Sequence, residues 1–208
     1  DLQGQYAKIK PQVNKAFESV LDTAYYIGGP EVKGFGSDLE KYLGVKHVIP
    51  CANGTDALQL ALMALDLKPG DEVISADHEH SSALNPWKYW QESKGVKLVT
   101  PTLPILPESV SEIVEIYRKA ITSKTKVISI CHLVNTNGMI LPIKEVTAMA
   151  HEKGILVAVD GAQATGMFDV DLKELGCDFY TVSAHKWLFS PKGVGVFYAK
   201  EESQQYLK

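Results

Sequence analysis

Lys186 lies in the stretch TVSAHKWLFSPKGVGVFYA, Thr181 to Ala199, between two apolar runs that read as strands, with Ser183 and His185 beside it. A lysine in such a joint is either a solvated loop residue or a nucleophilic amine, and the rest of the chain decides which. The run ILVAVDG closes on Asp160, with Gln163 just behind. A carboxylate ending an apolar strand is costly unless a cation or a hydrogen-bond donor meets it. The plainer alternative is a cap for the following turn. TKVISICHL ends near His132 and Asn135, and EVISA ends at Asp77, His78, Glu79 and His80. KHVIPC leads into Ala52, Asn53, Gly54 and Thr55, which open a helix. Helix-start N–H groups favour an anion and Gly54 permits close backbone approach, although the loop taken alone reads better as an ordinary capped helix. No Lys-Ser/Thr pair follows it and no G-x-G-x-x-G occurs, so it is neither a nucleotide P-loop nor a dinucleotide fingerprint.

These residues need elements to hold them. Helix and strand alternate along the chain. Helices are expected near Pro11 to Ala24, with Val13, Phe17, Val20 and Leu21 on one face, and again before Gly44. Further helices are expected over NGTDALQLALMALDL, Leu84 to Ser93, PESVSEIVEIYRKAI and PIKEVTAMAHEKG. Strands are expected at KHVIPC, PGDEVISA, VKLVTP, TKVISICHL, ILVAVDG, FYTVSAH and GVGVFYA. Nearly continuous apolar strands alternating with helices imply a mainly parallel sheet covered on both faces. The last two strands are joined too tightly for a helical crossover, so GVGVFYA is expected to run antiparallel. The fold class is α/β, a three-layer α/β/α arrangement with one antiparallel strand. Residues 1–45 are expected to form an N-terminal helical segment and residues 46–208 one large domain.

In open sheets of this kind ligands bind beyond the carboxyl ends of the strands. One sheet edge would then hold a helix-start anion site, an aspartate, several hydrogen-bonding side chains and a lysine. Pyridoxal 5′-phosphate carries a phosphate, a basic ring nitrogen and an aldehyde, and it needs a lysine for a Schiff base and an acid for the ring nitrogen.

The motif set VDGAQATG…LGCDFYTVSAHKWLFSPKGVGVFY closely resembles the class-V aminotransferases of the fold-type I pyridoxal-phosphate enzymes (the aspartate aminotransferase superfamily), a family that includes cysteine desulfurases and isopenicillin-N-epimerase-like proteins. The resemblance covers residues 76–208 and implies a large domain of the pyridoxal-phosphate-dependent transferase fold. It implies the Schiff base on Lys186, Asp160 against the pyridine nitrogen, and Gln163 on the ring oxygen. By the same resemblance Ser183 and His185 hold phosphate, His80 of DHEHSSALNPW stacks on the ring, and Asn135 of HLVNTNG lies near the ring hydroxyl. Residues 1–75 are instead similar to the DegT/DnrJ/EryC1 sugar aminotransferases, whose phosphate loop falls on Gly54 and Thr55. The change of character near Ile74 to Asp77 implies a chimera of two members of one fold. Fold-type I enzymes continue into a small domain with a carboxylate-gripping arginine, so that domain is expected to be absent. None of Cys51, Cys131 and Cys177 stands where a desulfurase's reactive cysteine would, which argues against desulfurase activity.

The chain has 208 residues, 45% of them hydrophobic and 22% charged, with a formal net charge of −4. That is ample for a core and gives no basic footprint for nucleic acid. No apolar run approaches a membrane span, and the first residues, DLQGQYAKIK, do not read as a signal peptide, so none is expected. Three cysteines, odd in number, widely spaced and without a C-x-x-C pattern, fit a reducing compartment, so the protein is expected to be cytoplasmic. The function expected is that of an aminotransferase-like protein acting on an amino acid or other primary amine, with a homodimer implied by the resemblance. The competing reading is a folded binding module without turnover. A third is a metal hydrolase on His78, Glu79, His80 and His132, for which i, i+2 histidines on a loop are a poor ligand pattern, so no metal is expected.

Overall fold

The computed structural model describes residues 2–46, 48–51, 56, 60, 63, 65–190 and 192–206. Helix α1 (Leu2–Thr23) and helix α2 (Pro30–Leu43) come first, followed by strand β1 (Ile49–Cys51) and strand β2 (Glu72–Ser75). Then come α3 (Ser81–Lys94), β3 (Lys97–Val99), α4 (Val110–Ala120), β4 (Thr125–Cys131) and α5 (Ile143–His151). The chain continues through β5 (Leu156–Asp160), α6 (Leu172–Leu175), β6 (Phe179–Ser183) and β7 (Gly195–Ala199) to a 3-10 turn at Glu201–Tyr206. The helix expected over residues 53–67 lies mostly outside the described residues; within it Asp56, Leu60 and Met63 are helical.

The strands form one seven-stranded sheet in the order β1-β7-β6-β5-β4-β2-β3. β2, β3, β4, β5 and β6 are mutually parallel, and β7 is antiparallel to both β6 and β1. The expected single antiparallel strand is therefore GVGVFYA. Its connection from β6 is too short for a crossover helix, and it folds back through local turns.

Strand alternation sorts the core into two faces. Ile128, Ile130, Val157, Val159, Tyr180, Val182 and Val196 point to one face, where Ile113 and Tyr117 of α4 and Ile143, Val146 and Met149 of α5 cover them. Val127, Ala158, Phe179 and Phe197 point to the other, against Trp87 of α3. Helices on both faces of the sheet give the three layers.

Several boundaries differ from the sequence expectation. α1 begins at Leu2 and carries Pro11 in its interior rather than at its start, while Phe17 and Leu21 are exposed. Tyr6 and Ile9 extend the helical spacing of Val13, Phe17 and Val20 back past Pro11, and they too are exposed. α3 begins at Ser81, earlier than Leu84, because His80 caps it: its Nδ1 accepts the Ser82 N–H at 3.2 Å. α6 is a single turn capped by Asp171, whose Oδ1 accepts from the Lys173 and Glu174 N–H groups, and it is too short to show a period.

Candidate active site

At the carboxyl edge of the parallel strands a narrow cleft is lined by His80, Cys131, Leu133, Asn135, Asp160, Ala162, Gln163 and Lys186. Five of the residues singled out by sequence thus meet in one place, delivered from four segments. His80 follows β2, Asn135 follows β4, Asp160 and Gln163 follow β5, and Lys186 follows β6. Parallel strands make this convergence possible, because all their carboxyl ends lie on one edge.

Lys186 is held by the turns that leave β6. Its N–H donates to the Ser183 carbonyl at 3.2 Å, and the Ser190 N–H donates back to Ala184 at 3.2 Å. Within the same turn Phe189 takes φ 55°, a strained conformation for a bulky side chain, of the kind that gathers at functional sites. Asp160 ends β5 half-buried, and its Oδ1 accepts the Ala162 N–H at 2.9 Å. Burial pushes its carboxyl above the usual range, while the Ala162 N–H and the charge of Lys186 pull the other way. The next residue must be glycine. A Cβ at Gly161 would lie 1.9 Å from the ring of Tyr180, whose hydroxyl is 2.9 Å from His132 Nδ1.

From sequence Glu79 reads only as a candidate metal ligand; the structure buries it. Its Oε1 accepts the Cys131 N–H at 2.7 Å, and its Oε2 is buried without a partner. Burial, with a contribution from nearby Asp160, pushes its carboxyl up to about 8. Cys131 is a free, buried cysteine whose thiol is raised well above its ordinary range by burial and by Glu79, so it is no reactive thiolate. The only signal for Glu79 in the sequence was its place at a strand end, in a stretch that reads as a polar loop.

The remaining expectations are placed as follows. Ser183 is half-buried at the end of β6 and His185 is exposed, and neither lines the cleft. Gly54 and Thr55 lie outside the described residues. The four side chains of the hydrolase reading turn to different partners: His78 to Asp77, His80 to Ser82, Glu79 to the Cys131 N–H, and His132 to Tyr180. Among the described residues no group of His, Cys, Asp or Glu side chains could hold a metal ion, and no helix is long and apolar enough to cross a membrane.

The aminotransferase class-V family matches residues 35–208. The chain belongs to that family. A probable cysteine desulfurase of Halalkalibacterium halodurans is 38% identical over 136 residues, covering 65% of this chain and 32% of the relative. An isopenicillin N epimerase of Amycolatopsis lactamdurans is 33% identical over 175 residues, covering 82% of this chain and 44% of the relative. The chain thus spans less than half the length of these curated relatives. Among solved structures, the cysteine desulfurase CsdA of Escherichia coli superposes with a TM-score of 0.73 at 28% identity, over 82% of this chain and 43% of that one. The cystine C-S lyase C-DES, solved with glycine covalently linked to its pyridoxal-phosphate cofactor, shares the fold at a TM-score of 0.78 and 20% identity, over 91% of this chain and 52% of that one. The class-V enzymes use pyridoxal phosphate. The family match, residues 35–208, includes the Ile74 to Asp77 region.

The cleft fits that cofactor chemically. It presents an amine, a carboxyl whose raised proton affinity a cationic ring nitrogen would relieve, and two amide side chains able to donate hydrogen bonds.

Proposed function

We propose that the chain binds pyridoxal phosphate through Lys186 and that the protein transforms an amino acid or other small primary amine. The observation that carries this is the convergence of Lys186, Asp160, Gln163, Asn135 and His80 on one cleft at the carboxyl edge of the sheet. Lys186 Nζ is the amine for the cofactor's aldehyde and the group that carries a proton to or from the substrate's Cα. Asp160 keeps a proton on the ring nitrogen, Gln163 and Asn135 serve the ring oxygen, and His80 packs on the ring. Ser183, His185, Gly54 and Thr55 hold the phosphate. Once bound, the cofactor supplies an electron sink for the pair left at Cα when a bond to it breaks.

Residues 46–208 form the cofactor-binding large domain in this reading, the working unit is a homodimer, and the compartment is the cytoplasm. The likeness of residues 1–75 to sugar aminotransferases supports a recombined or engineered chimera, against a divergent natural member of the family, and an uninterrupted natural gene at the source locus would refute the chimera.

The test is a visible spectrum of the protein titrated with pyridoxal phosphate, followed by borohydride and mass mapping. A pyridoxyl group fixed on Lys186 in the wild type and lost in Lys186→Ala is expected. Identical spectra for both proteins, matching free cofactor, would overturn the reading. Turnover with several amino donors then separates an enzyme from a binding module.

A further inference from the structure

Gln163 touches more than the cleft. Its Oε1 accepts a hydrogen bond from the indole Nε1–H of Trp187 at 3.0 Å, and Trp187 directly follows Lys186. An indole nitrogen donates and never accepts, so this bond fixes which end of the Gln163 amide is which. Oε1 is taken, and the NH2 group is left as the end free to serve the cleft that Gln163 lines. The two segments are also pressed together in the backbone. Gly166 has φ 88°, and a Cβ there would lie 2.7 Å from the Trp187 carbonyl oxygen. The loop after β5 can approach the lysine turn this closely only with glycine at that position.

We propose that Trp187 is a positioning residue that sets the Gln163 amide as a donor toward an anionic oxygen, the ring oxygen of the cofactor. This rests on the pyridoxal-phosphate reading above. An unanchored amide presents its carbonyl or its NH2 group to the cleft with equal ease, and the carbonyl end would repel an anionic oxygen. With the indole bond made, only the donating end is offered, and the cleft is organised before any ligand arrives. Because Trp187 and Lys186 are consecutive, one turn places both the amine and the support of the ring-oxygen donor.

Two measurements test this. In the cofactor-free protein, the indole N–H signals of the three tryptophans are recorded by NMR, and Trp187→Phe assigns the one that matters. Gln163→Leu should move the Trp187 signal and leave those of Trp87 and Trp90 in place; an unmoved Trp187 signal overturns the bond itself. The protein is then titrated with pyridoxal phosphate across pH. Trp187→Phe and Gln163→Leu should each weaken binding roughly threefold to tenfold, as the loss of one hydrogen bond does. Both should also shift the pH midpoint of the bound cofactor's colour in the same direction, and the double variant should be no worse than Gln163→Leu alone. Losses that multiply in the double variant, or an unshifted midpoint in Trp187→Phe, overturn the positioning role. A wild type that takes up no cofactor, with the indole signal still sensitive to Gln163, would overturn the cofactor reading and the ring-oxygen role while leaving the indole–amide bond standing.

Discussion

Two carboxylates at the amino end of the parallel strands and two at the carboxyl end are treated in opposite ways. Asp77, just after β2, sides with the amino-end pair, its Oδ1 accepting the Leu103 N–H at 3.0 Å and lying 2.8 Å from His78 Nδ1. At the amino end, Asp178 is buried and saturated. Its Oδ2 accepts from the Val157 N–H at 2.8 Å and pairs with His151 Nε2 at 2.8 Å, and its Oδ1 accepts from Ser203 Oγ at 2.6 Å. Its backbone is also engaged on both sides, donating to the Val157 carbonyl and accepting from the Lys200 N–H. Glu72, at the start of β2, accepts from Thr122 Oγ1 at 2.5 Å and from Lys97 Nζ at 2.9 Å, and these bonds hold its carboxyl below the usual range. At the carboxyl end, Asp160 has one side-chain hydrogen bond and Glu79 leaves Oε2 unpartnered, and both carboxyls are pushed up. A saturated carboxylate ties elements together. An unsaturated one, held beside an amine, is ready for a ligand.

Asp178→Ala should produce the largest change. It strands the buried Val157 N–H and Ser203 hydroxyl and releases the last turn from β6, so a loss of about 3–5 kcal/mol is expected. For a chain of this length that lowers Tm by roughly 10 °C, readable by calorimetry. A loss below about 1 kcal/mol would mean that saturation at the amino end is incidental. Glu79 gives the next effect, through pH. Unfolded, its carboxyl ionises near 4.5; folded, it keeps its proton to about 8. Between those values the native state binds more protons, so stability must fall as pH rises, by at most about 1.4 kcal/mol per unit from this group. Glu79→Gln should flatten that slope in urea titrations between pH 5 and pH 8. An unchanged slope would show that Glu79 is ionised in the fold and that the contrast between the two ends is overstated.

The gathering of the carboxyl-end site was legible in the sequence, because it follows from topology, but the contrast with the amino end was not. ILVAVDG and TKVISICHL announce buried parallel strands, and parallel strands bring Asp160, Asn135 and Lys186 to one edge without any knowledge of side-chain packing. What was not legible depends on approach between segments distant in sequence. Glu79 reads as part of a polar loop, and only the fold of that loop onto the end of β4 buries it against the Cys131 N–H. The Trp187 bond to Gln163 needs the loop after β5 to reach the lysine turn, which no local period encodes. Asp178 sits in a turn between Cys177 and Phe179, and its partners come from β5, α5 and the closing 3-10 turn. The start of α1 differs for a simpler reason: Pro11 reads as a first-turn residue, yet the helical spacing of Tyr6 and Ile9 carries the helix back through it.

Asp160→Asn probes the other end of the comparison. The amide keeps the shape of the side chain but cannot hold a proton on a basic ring nitrogen. Removing a charged hydrogen bond of this kind is worth about 1.5–3 kcal/mol, so pyridoxal-phosphate affinity should fall by roughly tenfold to a hundredfold. The cofactor-free protein should lose no stability, since the carboxylate removed is one that burial disfavours. Equal damage to folding and to binding would make Asp160 a structural cap like those of the amino end. The smallest effect is expected from His151→Ala. His151 is partly exposed, with 34% of its side chain accessible, and it is one of three partners on the Asp178 carboxylate. Its loss leaves Asp178 Oδ2 still bonded to the Val157 N–H and Oδ1 to Ser203, and water can take the vacated place. A cost of about 0.5–1.5 kcal/mol is expected, with pyridoxal-phosphate binding unchanged. A cost matching that of Asp178→Ala would locate the whole clasp in the His151 pair, and the buried N–H and hydroxyl donors would then add little.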